Sequence, residues 1–334
     1  MSVGTISMLY VDNNNITDPR INLAIEEHLL RNLQIAEPIL LFYINEPSVI
    51  IGRNQNTIEE IDTGYVKERG IHVVRRISGG GAVYHDLGNL NFSFITRGRE
   101  DLHNFARFTD PVIRILGDLG LEAELRGKSD IFAAGKKISG NAQYATSGRM
   151  FSHGTLLFDT DIKEMLRALN PRQVYIESKA VQSVRNFVTN IRELLPDDMT
   201  VGDLKQALLQ GLFEKGEIPS YNLESADWEQ IQQISTSRYC SWDWNYGHSP
   251  KFNIQKSGRF PVGVIDARMD VESGTIQGIR IYGDFTGERD VIELEEQLVG
   301  IRYDPEAMAS ALSNIDIRPY FGELERTEFI DLLY

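Results

Sequence analysis

Residues 75–86 read Arg75-Arg76-Ile77-Ser78-Gly79-Gly80-Gly81-Ala82-Val83-Tyr84-His85-Asp86. They follow a β-branched run, Ile71 to Val74, that reads as a strand. Three successive glycines leave peptide N–H groups uncovered, and two guanidinium groups stand directly before them. A nest of backbone donors holds an anion, and phosphate is the usual one. A second segment, Lys136-Lys137-Ile138-Ser139-Gly140-Asn141-Ala142, sets an ammonium group beside a small, turn-forming stretch. Together they point to a site that holds nucleotide phosphates and stabilises charge developing on one of them. A plain tight turn would use the same glycines, and a solvated basic face the same cations.

Charge favours the phosphate reading. The 334 residues carry 34 Lys+Arg against 48 Asp+Glu, a net charge of −14. Yet residues 69–99 hold five Arg and a single acid, Asp86. Residues 126–154 hold Arg126, Lys128, Lys136, Lys137 and Arg149 against Asp130 alone. Basic islands in an acidic chain suit a phosphate-bearing ligand, because local potential steers it. The acidic total argues against general binding to nucleic acid. Length suggests two domains, and 42% hydrophobic with 25% charged residues is a globular composition. The densest apolar run, Ile39 to Ile44, is too short to span a bilayer. The first residues lack the pattern of a signal peptide. One cysteine, Cys240, rules out an internal disulfide and fits a reducing compartment. A cytoplasmic monomer with no membrane or nucleic-acid partner is the expectation.

Around these segments the chain reads as mixed α and β. Asp18-Pro19 is a good cap and first position for a helix with an apolar stripe of Leu23, Ile25, Leu29, Leu30 and Leu33. Strands are expected at Ile39 to Ile44, Ser48 to Ile51, Ile71 to Arg76, Leu90 to Ile95 and Gly154 to Phe158. A helix is expected over 104–120, closed by Gly117 and Gly120. Asp130 to Ile138 reads as a hairpin turning at Ala134-Gly135, with Lys137 projecting from its second arm. Helices are expected over most of 161–215 and over 224–237. Strands and helices do not alternate regularly, which argues for an α+β architecture. A boundary is expected near Tyr246 to Pro250, after the cluster Trp242-Asp243-Trp244. Beyond it, Phe260 to Ile265 and Ile276 to Tyr282 read as strands around the turn Glu272-Ser273-Gly274. Helices follow at 290–299, 305–313 and from a cap at Thr327.

The run from Arg75 to Asn91 resembles the signature of lipoate–protein ligases. Further matches lie at Asp18-Pro19 with Asn22 to Glu27, at Ser48 to Asn56, at Lys137 to Ala142 and at His153-Gly154-Thr155-Leu156-Leu157. The resemblance covers nearly the whole chain. It implies a biotin/lipoate ligase-like fold, related to class II aminoacyl-tRNA synthetases, over residues 1–247, and a small α+β accessory domain over 251–334. It also implies a two-step reaction. ATP and lipoate give lipoyl-AMP and pyrophosphate, and the lipoyl group then passes to the ε-amine of a lysine on a carrier. The implied carriers are lipoyl domains of 2-oxoacid dehydrogenase complexes and the glycine cleavage H protein. Two anions must meet in the first step, so fixed positive charge is required there. Lys137 is the expected catalytic charge, contacting α-phosphate and acyl oxygen, and Arg76 the expected fork to phosphate. Gly81, Ala82, Val83 and Tyr84 would line the adenylate. Ser78, Gly79, Gly80, His85, Asn141 and His153 would flank lipoate, though isolated histidines serve equally as structural groups. Asp130 would hold Mg²⁺ across the phosphates, although many relatives have Asn where this chain has Ser129.

Three rivals share the pattern. An ATP-independent acyltransferase of the same fold works through a cysteine, but Cys240 lies outside every matching motif. A non-catalytic sensor would not need both Lys137 and Arg76. A biotin ligase shares the fold but not the Arg75 to Asp86 signature.

Overall fold

The computed structural model describes residues 8–146, 148–169, 187–195, 198–214, 216–246, 252–272 and 274–334. They form two compact units, each interrupted in sequence. The first takes residues up to 50, 61–74 and 83–241; the second takes 51–60, 75–82 and 242–334. The second unit thus gathers two stretches that a cut at 247/251 assigns to the first domain. The boundary expected at 246–250 falls largely outside the described residues. The architecture is α+β, as expected from the irregular alternation of elements. No described helix is long and apolar enough to cross a membrane.

The first unit is built on an eight-stranded mixed sheet. Its strands are β1 (Leu9–Asp12), β2 (Ile39–Ile44), β6 (Asn89–Arg97), β7 (Ala123–Arg126), β8 (Asp130–Ala133), β9 (Lys136–Thr146), β10 (Arg149–Leu157) and β11 (Ser220–Tyr221). The spatial order is β11-β1-β2-β6-β10-β9-β8-β7. A smaller sheet combines β3 (Ser48–Ile51), β4 (His72–Arg75) and β5 (Val83–His85). One face of the large sheet is apolar. Leu40, Phe42, Phe92, Phe94, Met150 and Leu156 pack there against Phe108, Val112 and Leu116 of the helix Phe105–Asp118. Leu204 and Leu208 of the helix Val201–Leu212 join them. Each such side chain fully buried contributes roughly 1.5–3 kcal/mol.

The opposite face belongs to the helix Pro19–Arg31. Asp18 caps it through Arg20 N–H at 2.8 Å, and Pro19 starts it. Burial exceeds the expected stripe: Asn22, Glu26, Glu27 and His28 are buried with the leucines. The turn between β8 and β9 is the one foreseen. Ala134 and Gly135 take φ of +48° and +76°, the left-handed pair of a tight hairpin. Between 161 and 215 most of the described residues are helical, in Ile162–Ala168, in Val201–Leu212 and in a 3₁₀ turn at Ile191–Glu193; residues 170–186 lie outside the description.

The second unit carries an antiparallel meander of β12 (Ile254–Phe260), β13 (Gly263–Glu272) and β14 (Thr275–Gly283). Phe260 to Ile265 is therefore not one strand: the chain turns at Pro261-Val262, and Phe260 pairs with Gly263. Pro261 lacks the N–H that a continuous strand would need. Glu272 pairs with Thr275, which places the foreseen turn, although Ser273 is not among the described residues. Ile265, Met269, Phe285, Leu294, Leu298, Phe321 and Phe329 form the core. The last helix runs Arg326–Leu333 and is capped by Glu325, whose side chain takes the N3 amide, so Thr327 is inside it.

Candidate functional site

Lys137 sits near the start of β9, where the ladder is irregular. Ile131 pairs with Ser139 but Phe132 pairs with Lys137, so Ile138 is an extra residue bulged out of register. A bulge re-aims the neighbouring side chain. Here the lysine chain folds back over Gly140: a Cβ on that glycine would stand 3.2 Å from Lys137 Nζ and 3.3 Å from its Cε. The missing side chain makes room for the ammonium. Asp130, paired with Gly140 across the ladder, meets Nζ at 3.0 Å through its Oδ2. Both side chains are 34% exposed, so the charge is held yet reachable. The lysine backbone is pinned on both sides, since Lys137 N–H donates to the Phe187 carbonyl at 2.7 Å and Thr189 N–H donates to the Lys137 carbonyl at 3.1 Å.

Asn141 follows on β9. Its amide donates to the Ser129 carbonyl at 2.7 Å and to Ser139 Oγ at 3.2 Å, fixing the turn that carries Asp130. Its Oδ1 stands 1.9 Å from where a Cβ on Gly154 would lie, which explains that glycine. On the sheet face under the helix Pro19–Arg31, register aligns Ser93, His153 and Ala142. Small side chains there keep the face shallow. His153 Nδ1 donates to the carboxylate of Glu26, at 3.0 Å and 3.1 Å from its two oxygens. His85 is buried on β5 and its Nδ1 accepts from Asn45 Nδ2 at 2.9 Å. Asn45 in turn accepts from Asn22, and Asn22 from Asn13. The histidine motif and the Asn22 to Glu27 motif thus meet through a buried relay of amides. Tyr84 is buried, and burial raises its hydroxyl pKa. Val83 is half-buried opposite Ile50.

The glycine loop lies in the second unit, and both of its arginines hold main-chain carbonyls. Arg75 is 1% exposed. Its guanidinium donates to the carbonyls of Gly52 (3.0 Å), Arg53 (2.9 Å), Gln55 (2.6 Å), Trp244 (2.9 Å) and Asn245 (3.4 Å), and to Thr57 Oγ1 (2.7 Å). Burial lowers its pKa to about 10. It is an internal tie and has no donor left for a ligand. Arg76, also buried, donates to Ser78 Oγ at 3.0 Å and to the carbonyls of Gly79 and Gly81 at 2.6 and 2.8 Å. Its fork thus moulds the loop that follows it. Gly79 is required because a Cβ there would lie 2.5 Å from the Phe285 carbonyl, and a Cβ on Gly52 would lie only 1.8 Å from the Gly80 carbonyl. Gly81 and Ala82 complete the loop with nothing within 4 Å of a Cβ at Gly81.

The structure therefore brings Lys137, Asp130 and Asn141 together in the first unit, where Val83, Tyr84, His85 and His153 also lie. Arg76, Ser78, Gly79, Gly80, Gly81 and Ala82 belong to the second. Arg149, a basic residue of the second island, donates to the carbonyls of Leu29, Leu33 and Ile35 and so caps the helix Pro19–Arg31. Glu26 was not singled out from sequence. Its signal was a pair of adjacent carboxylates within the matched stretch Asn22 to Glu27.

Comparison with known proteins fits this geometry. The lipoyl protein ligase A/B catalytic domain matches residues 18–213, and the bacterial lipoate protein ligase C-terminus matches 249–333. The lipoate-protein ligase LplJ of Bacillus subtilis is 54% identical over 331 residues, covering 98% of this chain and 100% of that protein. P. falciparum LipL1, solved in complex with lipoate, is 25% identical with a TM-score of 0.78, covering 97% of both chains. A lipoate-protein ligase A solved with bound ATP is 31% identical with a TM-score of 0.62, covering 72% of this chain and 98% of that one. The chain belongs to the lipoate–protein ligase family.

Proposed function

We propose that this protein joins free lipoate to AMP at the expense of ATP, releasing pyrophosphate, and then passes the lipoyl group to the ε-amine of a carrier lysine. The observation that carries the reading is the Lys137 ammonium laid over bare Gly140 and paired with the half-exposed Asp130. In the first step the lipoate carboxylate attacks the α-phosphate and the bond to pyrophosphate breaks. Lys137 neutralises the two oxygens whose charges oppose that approach. Arg76 holds the carbonyls of Gly79 and Gly81, and through them the loop whose Gly81 to Tyr84 backbone lines the adenylate. The candidate residues for the lipoyl group are His85, Asn141 and His153 in the first unit and Ser78, Gly79 and Gly80 in the second. In the second step the amine attacks the mixed anhydride and AMP leaves.

Mg²⁺ fits Asp130. The ion is commonly bound through one or two carboxylates plus substrate phosphates and water, so a single carboxylate is sufficient protein contribution. It would offset phosphate charge. Residues 1–247 would form the catalytic domain and 251–334 the accessory one, in a cytoplasmic monomer. The carriers would be lipoyl domains of 2-oxoacid dehydrogenase acyltransferase subunits and the glycine cleavage H protein. The acyltransferase alternative lacks a placed nucleophile, since Cys240 lies outside the residues that either family model matches. Incubating the protein with ATP, Mg²⁺, lipoate and an unmodified lipoyl domain should add one lipoyl mass to that domain's lysine. Lipoylation that proceeds without ATP from an acylated donor would replace this reading by the transferase.

A further inference from the structure

Three arginines meet the glycine loop in the second unit, and their partners differ in kind. Arg75 is spent on backbone carbonyls, and the Arg76 contacts given above are to the loop itself. Arg53 is anchored at the base of the loop, since its N–H donates to the Ser78 carbonyl at 2.9 Å. Its side chain is 17% exposed and pairs with the carboxylate of Asp290, which is 34% exposed. Neither partner is fully buried, so the pair can exchange for another anion. The two oxygens of Asp290 also have separate tasks. Oδ2 takes Arg53, while Oδ1 accepts the Ile292 N–H at 3.1 Å at the start of the following helix. Losing Arg53 would leave that second bond in place. Both residues border a cavity of about 40 Å³, enough for water to solvate the vacated oxygen.

We propose that Arg53 is a further phosphate-binding residue, parked on Asp290 until the β- or γ-phosphate of a nucleoside triphosphate takes the carboxylate's place. The inference rests on the reading of the glycine loop as the nucleotide site. Chemically it is an exchange of one oxyanion for another on the same fork, with phosphate the better match in charge and geometry. No bond is made or broken. Asp290 therefore competes with ATP and does not support it, which fixes the sign of the test.

ATP and AMP are titrated calorimetrically into the full-length protein without lipoate, for wild type, Arg53→Gln, Asp290→Asn and the double variant. Arg53→Gln should weaken ATP about tenfold or more and leave AMP unchanged, because AMP lacks the outer phosphates. Asp290→Asn should tighten ATP by roughly two- to fivefold. That gain should vanish in the double variant. Weaker ATP binding in Asp290→Asn, or equal losses for ATP and AMP in Arg53→Gln, would show a merely structural pair and overturn the inference. Should Arg53→Gln misfold, the sign for Asp290→Asn alone decides. Wild type that does not bind ATP at all would instead overturn the reading of the loop.

Discussion

Lys137 and Arg75 are both cations that the sequence places beside small, flexible residues, yet the molecule treats them in opposite ways. Lys137 has one carboxylate partner, is 34% exposed and lies across a glycine that leaves it space. Arg75 is 1% exposed and donates to five carbonyls and a hydroxyl drawn from two distant stretches of chain. The charge proposed for chemistry is kept exchangeable, whereas the charge that ties backbone together is saturated. Glycines separate the two cases as well. Gly140 accommodates a side chain, and Gly79 accommodates the backbone at Phe285.

Substitutions can break that contrast. Arg75→Met should give the largest loss of stability, about 3–5 kcal/mol, because several buried carbonyls lose their donor at once. Chemical denaturation would measure it; a loss below 1 kcal/mol would mean the tie is dispensable. Next is Glu295, 2% exposed, which accepts from Ile281 N–H and Arg280 at 2.8 Å each. Burial outweighs those bonds and raises its pKa from 4.5 to about 7. The folded state thus holds the proton more tightly than the unfolded one. Its contribution is complete below about pH 4.5 and lost as pH rises through about 7. Stability followed from pH 5 to 8 should fall by on the order of 3 kcal/mol, and Glu295→Gln should flatten that slope. A slope unchanged in the variant would assign it to another group.

Gly140→Val sharpens the contrast from the other side. The added branch crowds the Lys137 ammonium, so adenylation should drop about ten- to a hundredfold while stability changes little. Unaltered adenylation would mean the lysine works from another position. Arg192→Ala sets the floor. Its partner Asp159 is 50% exposed and the arginine 57%, so thermal unfolding should register a change below about 0.5 kcal/mol.

Much of this was legible in the chain. Apolar runs announced β2, most of β6 and the end of β10, and Ala134-Gly135 announced the hairpin that carries Lys137. Motif order announced the family. Sequence could not say that Arg75 faces inward, because its acceptors are backbone carbonyls, which every residue possesses. Nor could it join 51–60 and 75–82 to the second unit, since that grouping depends on contacts such as Gly283 N–H to the Asn54 carbonyl at 2.7 Å. The bulge at Ile138 leaves no compositional trace. Pro261 did leave one, in a run that otherwise looks like a strand, and the proline was the better guide.

If Lys137 supplies the charge for adenylation, its loss must stop the first half-reaction. The measurement is lipoate-dependent exchange of labelled pyrophosphate into ATP, with Mg²⁺ and no acceptor, in wild type and Lys137→Ala. Wild type should exchange only when lipoate is present, and the variant should lose about a hundredfold or more with its melting temperature unchanged. Full exchange in folded Lys137→Ala would contradict that role.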